Sequence, residues 1–161
     1  EKKQAIPANE VYVLVSMMRS VMDHGTGASG KIEGRPLAGK TGTANEQRDA
    51  WFAGFSPQLA AVAWVGFDDH RPLGRGETGA RAALPIWTSF MRKALKDKPI
   101  VDFATPPGVS FVTIDPQTGL RCAPDNPQAM QEVFLDGTEP GETPEQDADA
   151  VNGPETKEDK Q

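Results

Sequence analysis

Three strand-like segments in the middle of the chain constrain its fold more than any other feature. They are residues 36–44, 50–55 and 59–67, and only short turns separate them. Short connections join strands that run antiparallel and lie side by side, so these segments predict one antiparallel sheet. The second and third segments are apolar on both faces, which indicates that helices or other layers cover the sheet.

Helix patterns precede and follow the predicted sheet. In the first, apolar residues recur at helical spacing from Pro7 onward, with Asn9 as a candidate cap and Gly25 as the predicted C-cap. The second begins at Gly79 and ends at Pro99, after three lysines that suit the negative end of the helix dipole. The pattern predicts an α+β fold, in which helices cover an antiparallel sheet.

The chain divides into three predicted parts. Residues 1–98 hold the sheet and its helices. Residues 99–135 contain turn signals and one alternating segment at 109–114, so we expect a small β extension. Residues 136–161 are rich in acids, proline and glycine and cannot bury enough apolar surface to fold, which predicts a disordered tail.

The charge lies mainly in that tail and excludes several function classes. Nine acids and two lysines give the tail a charge of −7, which leaves +1 of the net −6 for the rest. A nearly neutral folded part argues against a nucleic-acid-binding surface. The single cysteine, Cys122, and the two histidines form no metal-binding pattern, so no metal is expected. No apolar run is long enough to cross a membrane.

The first strand carries the residues with the clearest chemistry, Lys40, Thr41, Gly42 and Thr43. The ammonium supplies positive charge, and the hydroxyls supply hydrogen-bond donors. The glycine lets a ligand lie close against the backbone. Together they predict a strand edge that holds an anion, although K-T-G alone also fits an ordinary exposed strand end. Because alternation places Lys40 and Thr41 on opposite faces, a shared site requires an edge strand approached from the side.

Other motifs carry less weight. Residues 25–30 and 74–79 both match G-x-G-x-x-G, but neither lies in a βαβ unit, so we interpret both as turns. The adjacent acids at 68–69 point apart on an extended chain and are interpreted as a solvated strand end. We expect Trp51, Phe52 and Trp64 to belong to the core.

Residues 39–44, 49–57 and 64–66 together resemble the C-terminal half of a penicillin-binding transpeptidase domain. Residues 79–87 are similar to the last helix of the class A, bifunctional members. The resemblance covers about residues 5–98 well and 100–138 loosely. It implies the penicillin-binding and serine β-lactamase-like fold, present here only as its C-terminal part.

The resemblance assigns roles to the strand residues. Lys40 would face the active-site hydroxyls and the substrate, and Thr41 and Thr43 would bind a terminal carboxylate. The backbone N–H of Thr43 would be one donor of an oxyanion hole, and Gly42 would leave room for the acyl group. A second set of residues, which could shape the rim of the site, comprises Asn45, Arg48 and Asp49.

The family combines S-x-x-K, S-x-N and K-T-G in one site. None of the six serines here is followed three residues later by lysine, and none begins S-x-N. We therefore expect a C-terminal piece that is inactive alone. The nucleophilic serine would lie in the N-terminal remainder, either an upstream segment or a separate chain.

The resemblance also implies a biological setting. The activity would be acyl transfer from D-alanyl-D-alanine stem peptides of peptidoglycan, with β-lactams as mimics and no cofactor. Full-length class A members are also glycosyltransferases, held at the periplasmic side of the inner membrane by an N-terminal anchor. The alternative is a non-catalytic module that binds peptidoglycan or a partner through residues 100–161. A nucleotide-binding function would depend only on the two glycine loops.

Overall fold

The computed structural model describes residues 3–142, so most of the predicted acidic tail lies outside the described residues. Its central sheet has three strands, β1 (Ala38–Thr43), β2 (Asp49–Ser56) and β3 (Leu59–Gly66). They run antiparallel in the order β1-β2-β3, with Gly42 opposite Trp51 and Trp51 opposite Trp64. The predicted antiparallel sheet and α+β class are confirmed.

The first helix, α1 (Ala8–Asp23), differs from its prediction at both ends. Asn9 lies inside the helix and does not cap it, since the backbone N–H of Val11 already bonds to the carbonyl of Pro7. His24 occupies the C-cap, one residue before the predicted Gly25. Gly25 is needed for a different reason, because a Cβ there would lie 2.9 Å from the Cα of Val21.

The second helix, α2 (Leu84–Ala94), follows a π-helical turn at Gly79–Ala83. The predicted helix therefore begins at Gly79 as expected, but its first turn is π-helical, which is wider than an α-helical turn. Gly79 lies directly on the sheet, and a Cβ there would come within 2.6 Å of the carbonyl oxygen of Gly42 and closer still to that of Trp51. Only a glycine allows the chain to approach β1 and β2 so closely.

The core lies between α2 and one face of the sheet. The rings of Phe52 and Trp87 are 4.8 Å apart, and both side chains are fully buried. The indole N–H of Trp87 donates to the carbonyl of Ala61 at 3.0 Å and is 3.3 Å from that of Gly54. The other members of this core are Met22, Leu37, Ala63, Ala83, Leu84, Met91 and Leu95.

Most of the opposite sheet face is uncovered by the described residues. Trp51 and Trp64 are 43% and 46% exposed, and Val62 beside them is 63% exposed. The prediction that both tryptophans are core residues is therefore wrong for this part of the chain. Alternation places them on the face away from α2, where their rings pack against each other at 6.0 Å.

Beyond α2, the chain forms a hairpin of β4 (Val109–Ile114) and β5 (Met130–Leu135). The hairpin lies against α1, where the ring of Phe111 meets that of Tyr12 edge-on. The chain stays beside the hairpin after β5, since the backbone N–H of Asp136 bonds to the carbonyl of Gly108 and the carbonyl of Gly141 accepts from the backbone N–H of Arg121. Most of the predicted tail, residues 143–161, lies outside the described part, so the predicted domain boundaries stay predictions.

Within residues 3–142, no helix is both long enough and apolar enough to cross a membrane.

Candidate active site

The Lys40-Thr41-Gly42-Thr43 segment lies on a sheet edge, because β1 pairs only with β2 among the described strands. The backbone N–H of Ala44 donates to the carbonyl of Asp49, directly opposite. In an antiparallel pair the bonded positions alternate, so Lys40 and Gly42 bond to β2, whereas the N–H and C=O groups of Thr41 and Thr43 point to the outer edge. An extended ligand could therefore add to this edge by backbone hydrogen bonds.

Lys40 reaches that outer edge with its ammonium group. Its side chain starts on the uncovered sheet face, opposite the face of Thr41 and Thr43. The Nζ atom nevertheless donates to the carbonyl of Thr41 at 3.0 Å and lies 3.3 Å from its hydroxyl. At this edge strand, the Lys40 ammonium therefore meets the Thr41 hydroxyl, although the two side chains start on opposite faces of the sheet. Within residues 3–142, no carboxylate forms an ion pair with Lys40.

Both threonine hydroxyls have polar neighbours from other elements. The Oγ1 atom of Thr41 lies 3.1 Å from that of Thr26, which follows α1. The Oγ1 atom of Thr43 accepts a hydrogen bond from the backbone N–H of Gly79 at 3.2 Å. The sequence predicts Gly79 as a helix start and gives Thr26 no role, so neither contact was foreseen. The only signal for Thr26 is its place in the glycine motif at 25–30.

Gly42 lies across from Trp51 on the neighbouring strand. A Cβ at Gly42 would lie 3.2 Å from the Cβ of Trp51, tighter than most contacts of this kind. The glycine therefore keeps a shallow surface open beside Lys40, on the same side of the strand.

The predicted rim residues follow β1 in the turn to β2. Asn45 is exposed, the Arg48 guanidinium bonds to the carboxylate of Glu46 at 2.9 Å, and Asp49 accepts from the indole N–H of Trp64 at 2.8 Å. The charged groups of Arg48 and Asp49 are therefore already paired with neighbouring side chains. Among these three residues, only Asn45 has a side chain with no hydrogen-bond partner in the described part of the chain. Whether they contact a ligand stays a prediction.

Gln47, which sequence reasoning missed, anchors this turn. Glu46 and Gln47 both have positive φ, at 58° and 56°, a conformation that is uncommon for such side chains. The side-chain oxygen of Gln47 accepts from the backbone N–H of Gly76 at 2.6 Å, and its carbonyl accepts from that of Leu73. The segment before Gly79 thus holds the turn at the end of β1 in one shape.

Among the described residues, no serine joins this network. The Lys40 ammonium hydrogen-bonds to Thr41, while Ser56 accepts bonds in the β2–β3 turn and Ser110 donates to Glu139 in the hairpin. The hydrogen bond from Ser110 holds the pKa of the Glu139 carboxyl below its ordinary value, away from the site. No cluster of metal-ligating side chains occurs in the described part of the chain.

Comparison with known proteins decides the family. A family model described as the penicillin binding protein transpeptidase domain matches residues 1–88, just over half of the chain. The chain belongs to the penicillin-binding transpeptidase family. The resemblance inferred from the motifs is therefore confirmed, and the matched residues include the whole three-stranded sheet and the start of α2.

The relatives of this transpeptidase chain are much longer proteins. It is 44% identical over 133 residues to penicillin-binding protein 1A of Pseudomonas aeruginosa, covering 82% of the chain and 16% of the relative. To penicillin-binding protein 1A of Aquifex aeolicus it is 39% identical over 140 residues, covering 87% and 19%. The chain thus spans less than a fifth of the length of these relatives.

A solved structure shows the same relationship. The crystal structure of penicillin-binding protein 1A from Haemophilus influenzae matches with a TM-score of 0.74 and 37% sequence identity. The match covers 84% of this chain and 21% of that one. The chain is therefore a fragment of a transpeptidase domain, as expected from the missing serine motifs.

Proposed function

We propose that this chain is the C-terminal part of a serine D,D-transpeptidase that cross-links the stem peptides of peptidoglycan. The observation that carries the proposal is the outer edge of β1. There the Lys40 ammonium, the hydroxyls of Thr41 and Thr43 and an outward-pointing backbone N–H come together in a member of the transpeptidase family.

In the proposed reaction, these groups bind two parts of the substrate. The hydroxyls of Thr41 and Thr43 donate to the terminal carboxylate, and Lys40 supplies the opposite charge. The N–H of Thr43 donates to the carbonyl oxygen that becomes negative as a serine attacks. A preorganised donor of this kind contributes about 2.7–4 kcal/mol to transition-state stabilisation.

The attacking serine would come from the remainder of the protein. Its hydroxyl adds to the carbonyl of the penultimate D-alanine, and the tetrahedral intermediate expels the terminal D-alanine as the leaving amine. The amine of a second stem peptide then attacks the ester carbonyl, forms the cross-linking amide bond and breaks the ester C–O bond, and its proton returns to the serine oxygen. A β-lactam would follow the first step only and remain attached to the serine.

The uncovered sheet face supports this division of the site. Trp51, Val62 and Trp64 expose apolar surface on the face from which Lys40 emerges. Exposed apolar patches of this kind are typical of interaction surfaces. We propose that the N-terminal remainder covers this face and thereby places its serine beside Lys40, so that the fragment alone is inactive.

The rest of the setting is proposed from the longer relatives. The whole protein would join transpeptidase and glycosyltransferase activities and would be anchored at the periplasmic side of the inner membrane. Its partners would be peptidoglycan stem peptides and β-lactam antibiotics. The chemistry proposed for β1 needs no cofactor.

Acylation of the full-length protein tests the proposal. Wild-type protein should be labelled covalently by a fluorescent penicillin, and Lys40→Ala should lower the second-order labelling rate constant by about 100-fold or more, because a charge-assisted contact is lost in the transition state. Lys98→Ala, a change to an exposed lysine beyond α2, is the matched control and should label like wild type. An unlabelled wild-type protein, or equal labelling of Lys40→Ala, would refute the proposal.

A further inference from the structure

Thr26 contacts the candidate site from outside the sheet. It lies in the turn after α1, and its Oγ1 atom is 3.1 Å from that of Thr41. Because Thr41 is one of the proposed carboxylate-binding residues, this contact joins a loop of no assigned role to the ligand-binding edge.

Two glycines hold the Thr26 turn close against the last turn of α1. A Cβ at Gly25 would lie 2.9 Å from the Cα of Val21, and one at Gly27 would lie 2.7 Å from the sulfur of Met22. The backbone N–H groups of both glycines also bond to the carbonyl of Val21. Because Gly25 and Gly27 pack tightly against α1 on either side of Thr26, the position of Thr26 next to β1 is fixed by the fold.

The hydrogen-bond capacity of Thr41 gives this contact a direction. A hydroxyl has one hydrogen to donate and two lone pairs with which to accept. The Lys40 ammonium can only donate, and it lies 3.3 Å from the Thr41 hydroxyl. If Thr41 also donated to Thr26, it would have no hydrogen left for a carboxylate. When Thr26 donates instead, the single hydrogen of Thr41 is available to the ligand.

Thr43 has the same arrangement with a different partner. Its hydroxyl accepts from the backbone N–H of Gly79, a group that can only donate. The hydrogen of Thr43 is therefore also available to a ligand. Each of the two threonine hydroxyls thus has a neighbour that can donate a hydrogen bond to its oxygen. Its own hydrogen is then free to point toward a ligand at the outer edge of β1.

We propose that Thr26 is a positioning residue of the transpeptidase site: it donates to Thr41 and so orients the Thr41 hydroxyl toward the carboxylate of the stem peptide or β-lactam. The inference depends on the proposed function of the β1 edge. Thr26 acts through Thr41 and takes no part in bond making or breaking.

The test is a double-mutant cycle in the full-length protein, with the second-order rate constant of acylation by fluorescent penicillin as the measurement. Thr26→Val keeps the shape but removes the hydroxyl, and it should lower that constant about tenfold, as expected for one hydrogen bond to a group that binds an anion. Thr26→Ser keeps the hydroxyl and should stay within about twofold of wild type. In a Thr41→Val background, Thr26→Val should cause no further loss, since interacting residues are not additive.

Ser29, in the short 3-10 helix that follows the Thr26 turn, provides a control that separates an effect on hydroxyl orientation from an effect on folding. Ser29→Ala removes an exposed hydroxyl that forms no hydrogen bond among the described residues, and it should acylate like wild type. Thr26→Ala, which removes the hydroxyl without adding an apolar methyl group, takes the place of Thr26→Val if the latter melts at a lower temperature.

The outcomes are distinguishable. Wild-type acylation with unchanged rates in both hydroxyl-free variants would overturn the role of Thr26 alone. An equal loss from Thr26→Val in the presence and absence of the Thr41 hydroxyl would also overturn it, because a purely structural effect is additive. A wild-type protein that penicillin does not acylate would refute the proposed function itself.

Discussion

Replacing Gly79 by alanine should damage both the fold and the site, since this residue lies where α2 approaches the sheet. The added Cβ would lie 2.6 Å from the carbonyl oxygen of Gly42, 0.8 Å short of the 3.4 Å at which ordinary contact begins. The carbonyl of Trp51 would be closer still. Both obstacles are backbone atoms within hydrogen-bonded strands, so they cannot rotate away as a flexible side chain could.

The cost follows from these distances. Moving Gly79 away from both carbonyls by at least about 0.8 Å would lengthen its 3.2 Å bond to the Thr43 hydroxyl beyond hydrogen-bonding range. Overpacking typically costs about 1–3 kcal/mol, and one lost hydrogen bond adds about 1 kcal/mol. We expect Gly79→Ala to lower the free energy of unfolding by about 2–4 kcal/mol, which corresponds to a Tm about 4–16 °C lower for a domain of roughly 150–250 residues.

Calorimetry and acylation measured on the same full-length variants test this reasoning. Gly141→Ala is the matched control, because a Cβ there would meet nothing within 4 Å, and its Tm should equal that of wild type. Gly79→Ala should also label more slowly with fluorescent penicillin below its Tm, since Thr43 loses the donor that orients it. A Gly79→Ala protein with the wild-type Tm and labelling rate would refute the argument.

Two further predictions concern stability. Trp87→Phe removes the indole N–H that bonds to the buried carbonyls of Gly54 and Ala61, so it should lower the free energy of unfolding by about 1–3 kcal/mol in urea titrations. Ser110→Ala removes the main cause of the lowered Glu139 pKa, so that pKa should rise toward its ordinary value in a carboxylate NMR titration. Because the lowered pKa favours the folded state above the ordinary glutamate pKa, the stability that Ser110 provides should be present at neutral pH and disappear as the pH falls through the lowered value.

Their controls come from the same chain. Tyr12→Phe removes a hydroxyl whose hydrogen-bond donor, the exposed Thr105 side chain, can still bond to water, so it should cost less than Trp87→Phe. An equal cost for the two changes would contradict the burial argument for Trp87. An unchanged Glu139 titration in Ser110→Ala would show that the hydrogen bond at 2.7 Å is not the cause of the shift.

The sheet and the edge position of β1 were predictable because they depend on local signals. Short turns dictate antiparallel neighbours, and the alternation of Lys40 and Thr41 required access from the side of a strand. The exposure of Trp51 and Trp64 was not predictable in this way. An apolar strand indicates that both faces become buried, but it does not indicate which part of the protein supplies the covering layer, which we propose is the N-terminal remainder.

The contacts that orient the hydroxyls were beyond sequence reasoning for a different reason. Thr26 and Thr41 are 15 residues apart, and Gly79 and Thr43 are 36 apart. Their meeting depends on how α1 and the π-helical turn pack against β1, which no local pattern encodes. The positive φ of Gln47 also could not be predicted from the sequence, because no glycine or asparagine at this position signals it. It is stabilised by hydrogen bonds to the segment before Gly79.

The return of the chain from α2 to α1 also sets an order of events during synthesis on the ribosome. Arg19 forms an ion pair with Asp102, 83 residues later, and the hydroxyl of Tyr12 accepts a hydrogen bond from Thr105, 93 residues later. At a translation rate of about 5–20 residues per second, Asp102 emerges about 4–17 s after Arg19. The residues of the sheet are therefore synthesised before those of the C-terminal hairpin, so the hairpin can close over α1 only after the sheet residues are present.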